Sequence, residues 1–144
     1  TFLPVKSDEI ENHKMHYEFF TISNESCLVL NRAKLEGRRI IAVGTTAVRV
    51  IESSFRDDKF IPSSGQTNIF IYPGYKWKAV DALITNFHLP KSTLIMLVAS
   101  FIRDKCSIND GALKVLNLYE IAKENNYRFY SFGDAMFISS REGV

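Results

Sequence analysis

Cysteine is nearly absent from this sequence: Cys27 and Cys106 are the only two in 144 residues, isolated and without a partner at metal-ligand spacing. A disulfide framework and a thiolate metal site are both excluded, and reduced thiols in a cytoplasmic protein are the expectation. Long hydrophobic runs are missing too. The longest, Leu94 to Ile102, is broken by Ser100 and falls far short of the ~20 residues a membrane-spanning helix needs, so no membrane association is expected. Charge of one sign is equally scarce, since 18 Lys and Arg against 16 Asp and Glu leave a net charge of only +2, which does not mark a dedicated nucleic-acid binder. Low-complexity tracts, internal repeats and linkers are lacking, so nothing divides the chain. What is there, 46% hydrophobic and 24% charged residues, is the composition of one folded domain.

The hydrophobic pattern predicts alternating helices and strands. Ser23 caps a helix whose apolar face is Cys27, Leu28, Leu30, Ala33 and Leu35, and Gly37 ends it. Arg38 to Val43 reads as a buried strand, and Ala47 to Ser53 as the helix after it. Arg56 to Lys59 and Pro62 to Gly65 read as loop, Thr67 to Tyr72 as strand, with a turn at Pro73-Gly74. Ala82 to Ile84 is a short apolar run of strand length, and Leu94 to Phe101 continues as an apolar helix beyond Pro90. Asp110 to Asn125 is an amphipathic helix capped by Asn109 or Asp110, and Tyr127 to Ser131 is strand-like. This order favours an α/β fold with a mostly parallel sheet and crossover helices, either Rossmann-like or part of a larger barrel-like catalytic domain.

The densest group of polar side chains falls at the turn Asp81 to Thr93, DALITNFHLPKST. Thr85, Asn86, His88, Lys91 and Ser92 or Thr93 fall between a strand's end and a helix's start, where parallel α/β folds place their ligands. Each has a structural alternative: Asn86 as a turn residue, Ser92 or Thr93 as a cap, His88 as a satisfied buried histidine. Gly44-Thr45-Thr46 repeats the construction. Gly44 lets the chain turn, and Thr45 or Thr46 can cap the helix while leaving amides free for a phosphate or carboxylate, with Arg49 one helical turn on; a plain capped helix is the structural alternative. If Gly44 to Thr46, Thr85 to Ser92 and Gly133-Asp134 all follow parallel strands, they meet at one sheet edge. The pocket then holds an anion cradle, a histidine and two carboxylates, Asp81 and Asp134.

Five blocks carry a resemblance: HKMHYE (His13 to Glu18), AVGTTAVRVIES (Ala42 to Ser53), SGQTNIFIYPGY (Ser64 to Tyr75), DALITNFHLPKSTLIMLVASF (Asp81 to Phe101) and YRFYSFGDAMFI (Tyr127 to Ile138). In order and over nearly the whole chain, they resemble the C-terminal part of the S-adenosylmethionine:tRNA ribosyltransferase-isomerases of queuosine biosynthesis. The resemblance implies that residues 1–144 are a single α/β region, the C-terminal part of a catalytic domain. An N-terminal part and an inserted β-barrel domain would lie ahead of Thr1. It implies transfer and isomerisation of the ribosyl part of S-adenosylmethionine onto 7-aminomethyl-7-deazaguanine at the tRNA wobble position, giving epoxyqueuosine tRNA, adenine and methionine. S-adenosylmethionine is then a donor substrate and no cofactor is needed. The whole enzyme is expected to be a cytoplasmic monomer, and the isolated fragment to self-associate.

That chemistry assigns provisional roles. His88 is the first choice for the base that takes a proton next to sulfur, with Asp134 and Asp81 as alternatives. The methionine carboxylate or a tRNA phosphate suits the amides of Gly44, Thr45 and Thr46, with Arg49 or Lys91 as charge partner and Asn86, Ser92 and Thr93 nearby. Tyr72, Tyr75 and Trp77 are candidates to stack on an extruded base. His13 and His16, three apart, share a helical face, but no third metal ligand is evident and the family needs no metal. Two other classes stay open: a noncatalytic tRNA-binding fragment, and another α/β enzyme acting on a nucleotide or sugar phosphate.

Overall fold

Three short strands form the sheet that organises the molecule, described here by a computed structural model over residues 15–140. The opening segment before residue 15, including His13, lies outside the described residues. In chain order the elements are β1 (Glu18–Ile22), α1 (Asn24–Leu35), β2 (Ile41–Val43), α2 (Thr45–Ser54), β3 (Phe55–Arg56), β4 (Lys59–Phe60), β5 (Ser63–Thr67), β6 (Ala82–Asn86), α3 (Thr93–Lys105), α4 (Gly111–Glu124) and β7 (Ala135–Ser139). β6 is central. It runs parallel to β2, pairing Ile41 with Ala82, and antiparallel to β7, pairing Asn86 with Ala135. The α/β class holds, but the sheet is mixed rather than mostly parallel. The last strand lies at Ala135–Ser139 instead of Tyr127 to Ser131, and it runs the other way.

The apolar run of β6 is buried as the pattern requires. Leu83 and Phe87 join Val48 of α2, Leu97, Val98, Phe101 and Ile102 of α3, Val115 and Tyr119 of α4, and Ile138 of β7 in one core. Ser92 caps α3 through its hydroxyl, and Asp110 caps α4 by accepting from Leu113 N at 2.9 Å. Gly111 lies where α4 crosses α3, and a Cβ there would stand 2.1 Å from the Ala99 carbonyl oxygen. No larger residue fits without moving a helix.

A smaller cluster of Ile22, Cys27, Ile40, Phe55, Phe60 and Ala79 sits beneath α1. Ser23 caps α1 as expected, but Leu28 and Leu35 of its anticipated apolar face are exposed. Two segments read as loops are strands. Asp57 and Asp58, both at positive φ, make the two-residue turn of the β3–β4 hairpin, and polar Ser63–Thr67 pairs antiparallel with β1. Residues 68–72, expected as strand, are irregular. The long approach to β6 is held by Glu52. Its buried carboxylate accepts from the backbone of Lys78, Ala79 and Val80 and from Tyr75 Oη, at 3.0–3.1 Å.

Candidate functional site

The site grows out of two strand ends. After β2 the chain turns at Gly44, whose φ of 86° suits glycine, and its amide donates to Ile84 O at 2.8 Å, fastening the turn to β6. α2 starts immediately at Thr45, and neither Thr45 nor Thr46 caps it as expected, because the N-cap position falls on Gly44, which has no side chain. The first-turn amides of α2 are therefore donors with no intrahelical acceptor. Next to them, β6 delivers Thr85 and Asn86 and then bends outward through Phe87 and His88.

Phe87 anchors that bend. Its ring stacks on Phe129 at 4.8 Å and meets Tyr119 edge-on at 5.4 Å, so the backbone on either side is fixed. His88 N donates to Tyr119 Oη at 2.8 Å, and His88 Nε2 lies 2.8 Å from Thr85 Oγ1. The two bonds hold both the backbone and the ring. Burial lowers the His88 pKa from 6.5 to about 4, so the imidazole is neutral at physiological pH. When Nε2–H donates to Thr85, Nδ1 carries the lone pair; when the Thr85 hydroxyl donates instead, Nδ1 carries the hydrogen.

A cavity of about 380 Å³ opens here, lined by Gly44, Thr45, Thr46, Thr85–Leu89, Leu94, Tyr130 and Ser131. That volume is in the range of small-molecule sites. Gly44, Thr45, Thr46, Asn86 and His88 were expected from the sequence, and the fold brings them together. Tyr130 and Ser131 were not, because YRFYS has the composition of a strand. In the structure it is a loop that folds back over the cavity, with Tyr130 N donating to Phe87 O at 2.9 Å. No pattern in the sequence distinguishes the two.

Other expected residues are placed elsewhere. Asp81 precedes β6, at the strand end opposite the cavity and roughly 16 Å away for five extended residues. There it accepts from Ile40 N at 2.9 Å and pairs with Lys34 at 3.7 Å, which makes it a bracket between β2 and β6. Asp134 does reach the correct edge, for a reason opposite to the one expected: it precedes an antiparallel strand rather than following a parallel one. Its backbone oxygen accepts from Asn86 Nδ2 at 3.1 Å, but its carboxylate is turned onto Arg128, accepting from the backbone amide at 2.6 Å and from Nη2 at 3.0 Å. The Arg128 bonds hold the Asp134 carboxyl below the usual range. A carboxylate so engaged is a poor proton acceptor.

Arg49 is buried and paired with Glu18 behind the cavity wall, with Nε and Nη2 making no hydrogen bond among the described residues. Lys91 is exposed, at φ 54°, outside the wall. Ser92 is engaged as the α3 cap, and buried Thr93 is that helix's first residue. The aromatic candidates lie away from the cavity. Trp77 is core, with Nε1 donating to Ser100 Oγ at 3.1 Å; Tyr75 donates to Glu52; Tyr72 packs on Phe70. None of the three lines the cavity. Among the described residues no group of three or more His, Cys, Asp or Glu is placed to hold a metal ion, and no helix is long and apolar enough to cross a membrane.

Fold and cavity together define an α/β protein with a cavity at the carboxyl ends of two parallel strands. The sequence model of the family described as queuosine biosynthesis protein matches residues 1–138, and the chain belongs to that family. A relative from Carboxydothermus hydrogenoformans, named S-adenosylmethionine:tRNA ribosyltransferase-isomerase, is 55% identical over 138 residues, covering 96% of this chain and 38% of its own length. One of the same name from Caldanaerobacter subterraneus is 52% identical over 139 residues, again 96% of this chain and 38% of the relative. The crystal structure of S-adenosylmethionine tRNA ribosyltransferase from Thermotoga maritima superimposes with a TM-score of 0.71 at 44% identity. That match covers 83% of this chain and 39% of the other. The chain thus spans about two fifths of the length of the relatives it matches.

Proposed function

We propose that this chain supplies part of the catalytic site of a tRNA ribosyltransferase-isomerase. The reaction moves and isomerises the ribosyl part of S-adenosylmethionine onto 7-aminomethyl-7-deazaguanine at the wobble position of tRNA, releasing adenine and methionine. The observation that carries the reading is the cavity itself, where uncapped α2 amides and a neutral, doubly anchored His88 face one space beside Thr85 and Asn86. The names and identities of the relatives support it. S-adenosylmethionine enters as a donor substrate, with no cofactor.

In this reading the α2 amides at Thr45 and Thr46 receive the methionine carboxylate, because unpaired helix N-terminal donors favour an anion. His88 accepts the proton from the carbon beside sulfur. Burial keeps its lone pair present at neutral pH and also makes it a weak base, so the proton has to come from carbon acidified by the adjacent sulfonium. Thr85 sets the ring's tautomer and Asn86 binds the donor's polar groups. In this reading the described residues 15–140 belong to one α/β region of a larger catalytic domain, and the rest of the full-length protein completes the site.

The test is adenine release by the full-length protein given S-adenosylmethionine and tRNA carrying 7-aminomethyl-7-deazaguanine, with the nucleoside followed by mass. His88→Ala is expected to lower kcat by roughly 100-fold or more, the usual size of a general-base contribution, with S-adenosylmethionine binding kept. Absence of release by the unaltered full-length protein would remove the proposal; normal turnover by His88→Ala would remove the base assignment alone.

A further inference from the structure

The segment Tyr127 to Asp134 is held at both ends and in the middle, yet it leaves three aromatic residues exposed: Tyr127, which still meets Phe87 edge-on, and Tyr130 and Phe132. Arg128 and Asp134 close it with a bidentate ion pair reinforced by the Arg128 amide, and Asn86 Nδ2 ties Asp134 O to β6. Phe129 turns inward onto Phe87, while Tyr130 and Phe132 turn outward, 44% and 68% exposed. Tyr130 also lines the cavity, and its φ of 62° lies where a side-chain-bearing residue is strained. A loop this firmly fixed does not leave large rings in water for want of packing, since the same loop packs Phe129 against the core.

Tyr130 lines the cavity, and Phe132 follows Ser131, which lines it too. Leu89, also exposed, forms part of the cavity wall, and exposed Lys91 follows it two residues on. Arg128 is exposed as well, but its guanidinium is committed to the Asp134 carboxylate. Exposed aromatic faces next to cations suit a nucleotide, with the base stacked on the rings and the phosphates near the charges. S-adenosylmethionine lacks phosphates, and the amides and His88 that suit it lie deeper. With Lys91 as the exposed cation next to this wall, the mouth therefore favours RNA.

We infer that Tyr130 and Phe132 form a stacking shelf at the cavity mouth that receives an extruded purine-type base of the RNA substrate. This rests on the reading above that the protein acts on tRNA. The shelf takes over the role expected of Tyr72, Tyr75 and Trp77, none of which faces the cavity. Because every base has a π face, the rings contribute affinity and position rather than sequence choice.

The test uses the full-length protein and tRNA carrying 7-aminomethyl-7-deazaguanine, with S-adenosylmethionine titrated separately. Tyr130→Ala and Phe132→Ala are each expected to weaken tRNA binding roughly tenfold while S-adenosylmethionine affinity stays within about twofold, and Tyr130→Phe is expected to bind tRNA normally. A tRNA with 2-aminopurine at the wobble position should lose fluorescence on binding the unaltered protein and less on binding the alanine variants. Unchanged tRNA binding by both alanine variants would overturn the shelf, as would weakened S-adenosylmethionine binding with tRNA binding intact, which would assign the rings to the donor's adenine. Unaltered protein that neither binds tRNA nor releases adenine would instead overturn the functional reading on which the shelf rests.

Discussion

His88 and Glu52 show how single residues set this site, one at the cavity and one behind it. The folded protein resists protonating His88 until about pH 4, whereas the unfolded chain takes up that proton near 6.5. The unfolded state therefore binds more protons between those values, and the His88 contribution is complete above pH 6.5 and is lost as pH falls toward 4. Thermal melts of the full-length protein from pH 7 to 4 should show this loss, and His88→Asn should flatten it; an identical slope in the variant would show that His88 does not titrate as the structure requires. Glu52 works at a distance. By accepting three backbone amides it fixes the approach to β6, and so the strand that presents Thr85 and Asn86. Its importance was not legible in AVRVIES, because helical spacing says which face a residue occupies and not which loop's amides will meet it.

Among the elements, the α3–α4 crossing and the strand ends matter most. Gly111 allows close approach of the two helices, and α4 carries Tyr119, the acceptor of the His88 amide. Gly111→Ala should destabilise the protein by roughly 1–3 kcal/mol, the usual cost of overpacking, measured by chemical denaturation. A neutral result would mean that the helices separate without cost. Three of the four helices were readable from a capping residue, since Ser23, Ser92 and Asp110 cap as expected, whereas α2 has no side-chain cap. Strands were less readable. Ser63–Thr67 has no strand propensity of note and is a strand because β1 pairs with it, while YRFYS has high propensity and is a loop because Phe129 is drawn onto Phe87.

At the scale of the whole molecule, the sheet has open edges among the described residues. β2 pairs only with β6, and its Ile41 and Val43 are exposed, Val43 by 67%. An apolar edge strand invites pairing with another chain. The 144-residue chain expressed alone should therefore self-associate in sedimentation experiments at micromolar concentration, and Val43→Lys should shift it toward monomer; a monomeric unaltered chain would contradict this. The sequence by itself determined the α/β class, the helices with their caps, the family, and the Gly44–Thr46 and Thr85–His88 segments, because those signals are local: spacing, turn chemistry and contiguous motif. Only the tertiary structure decided that β7 runs antiparallel, that Asp81 lies at the far end of β6, that Asp134 grips Arg128, and that Tyr130 and Ser131 line the cavity. Strand direction and loop return depend on contacts between residues distant in the chain, which no local pattern encodes.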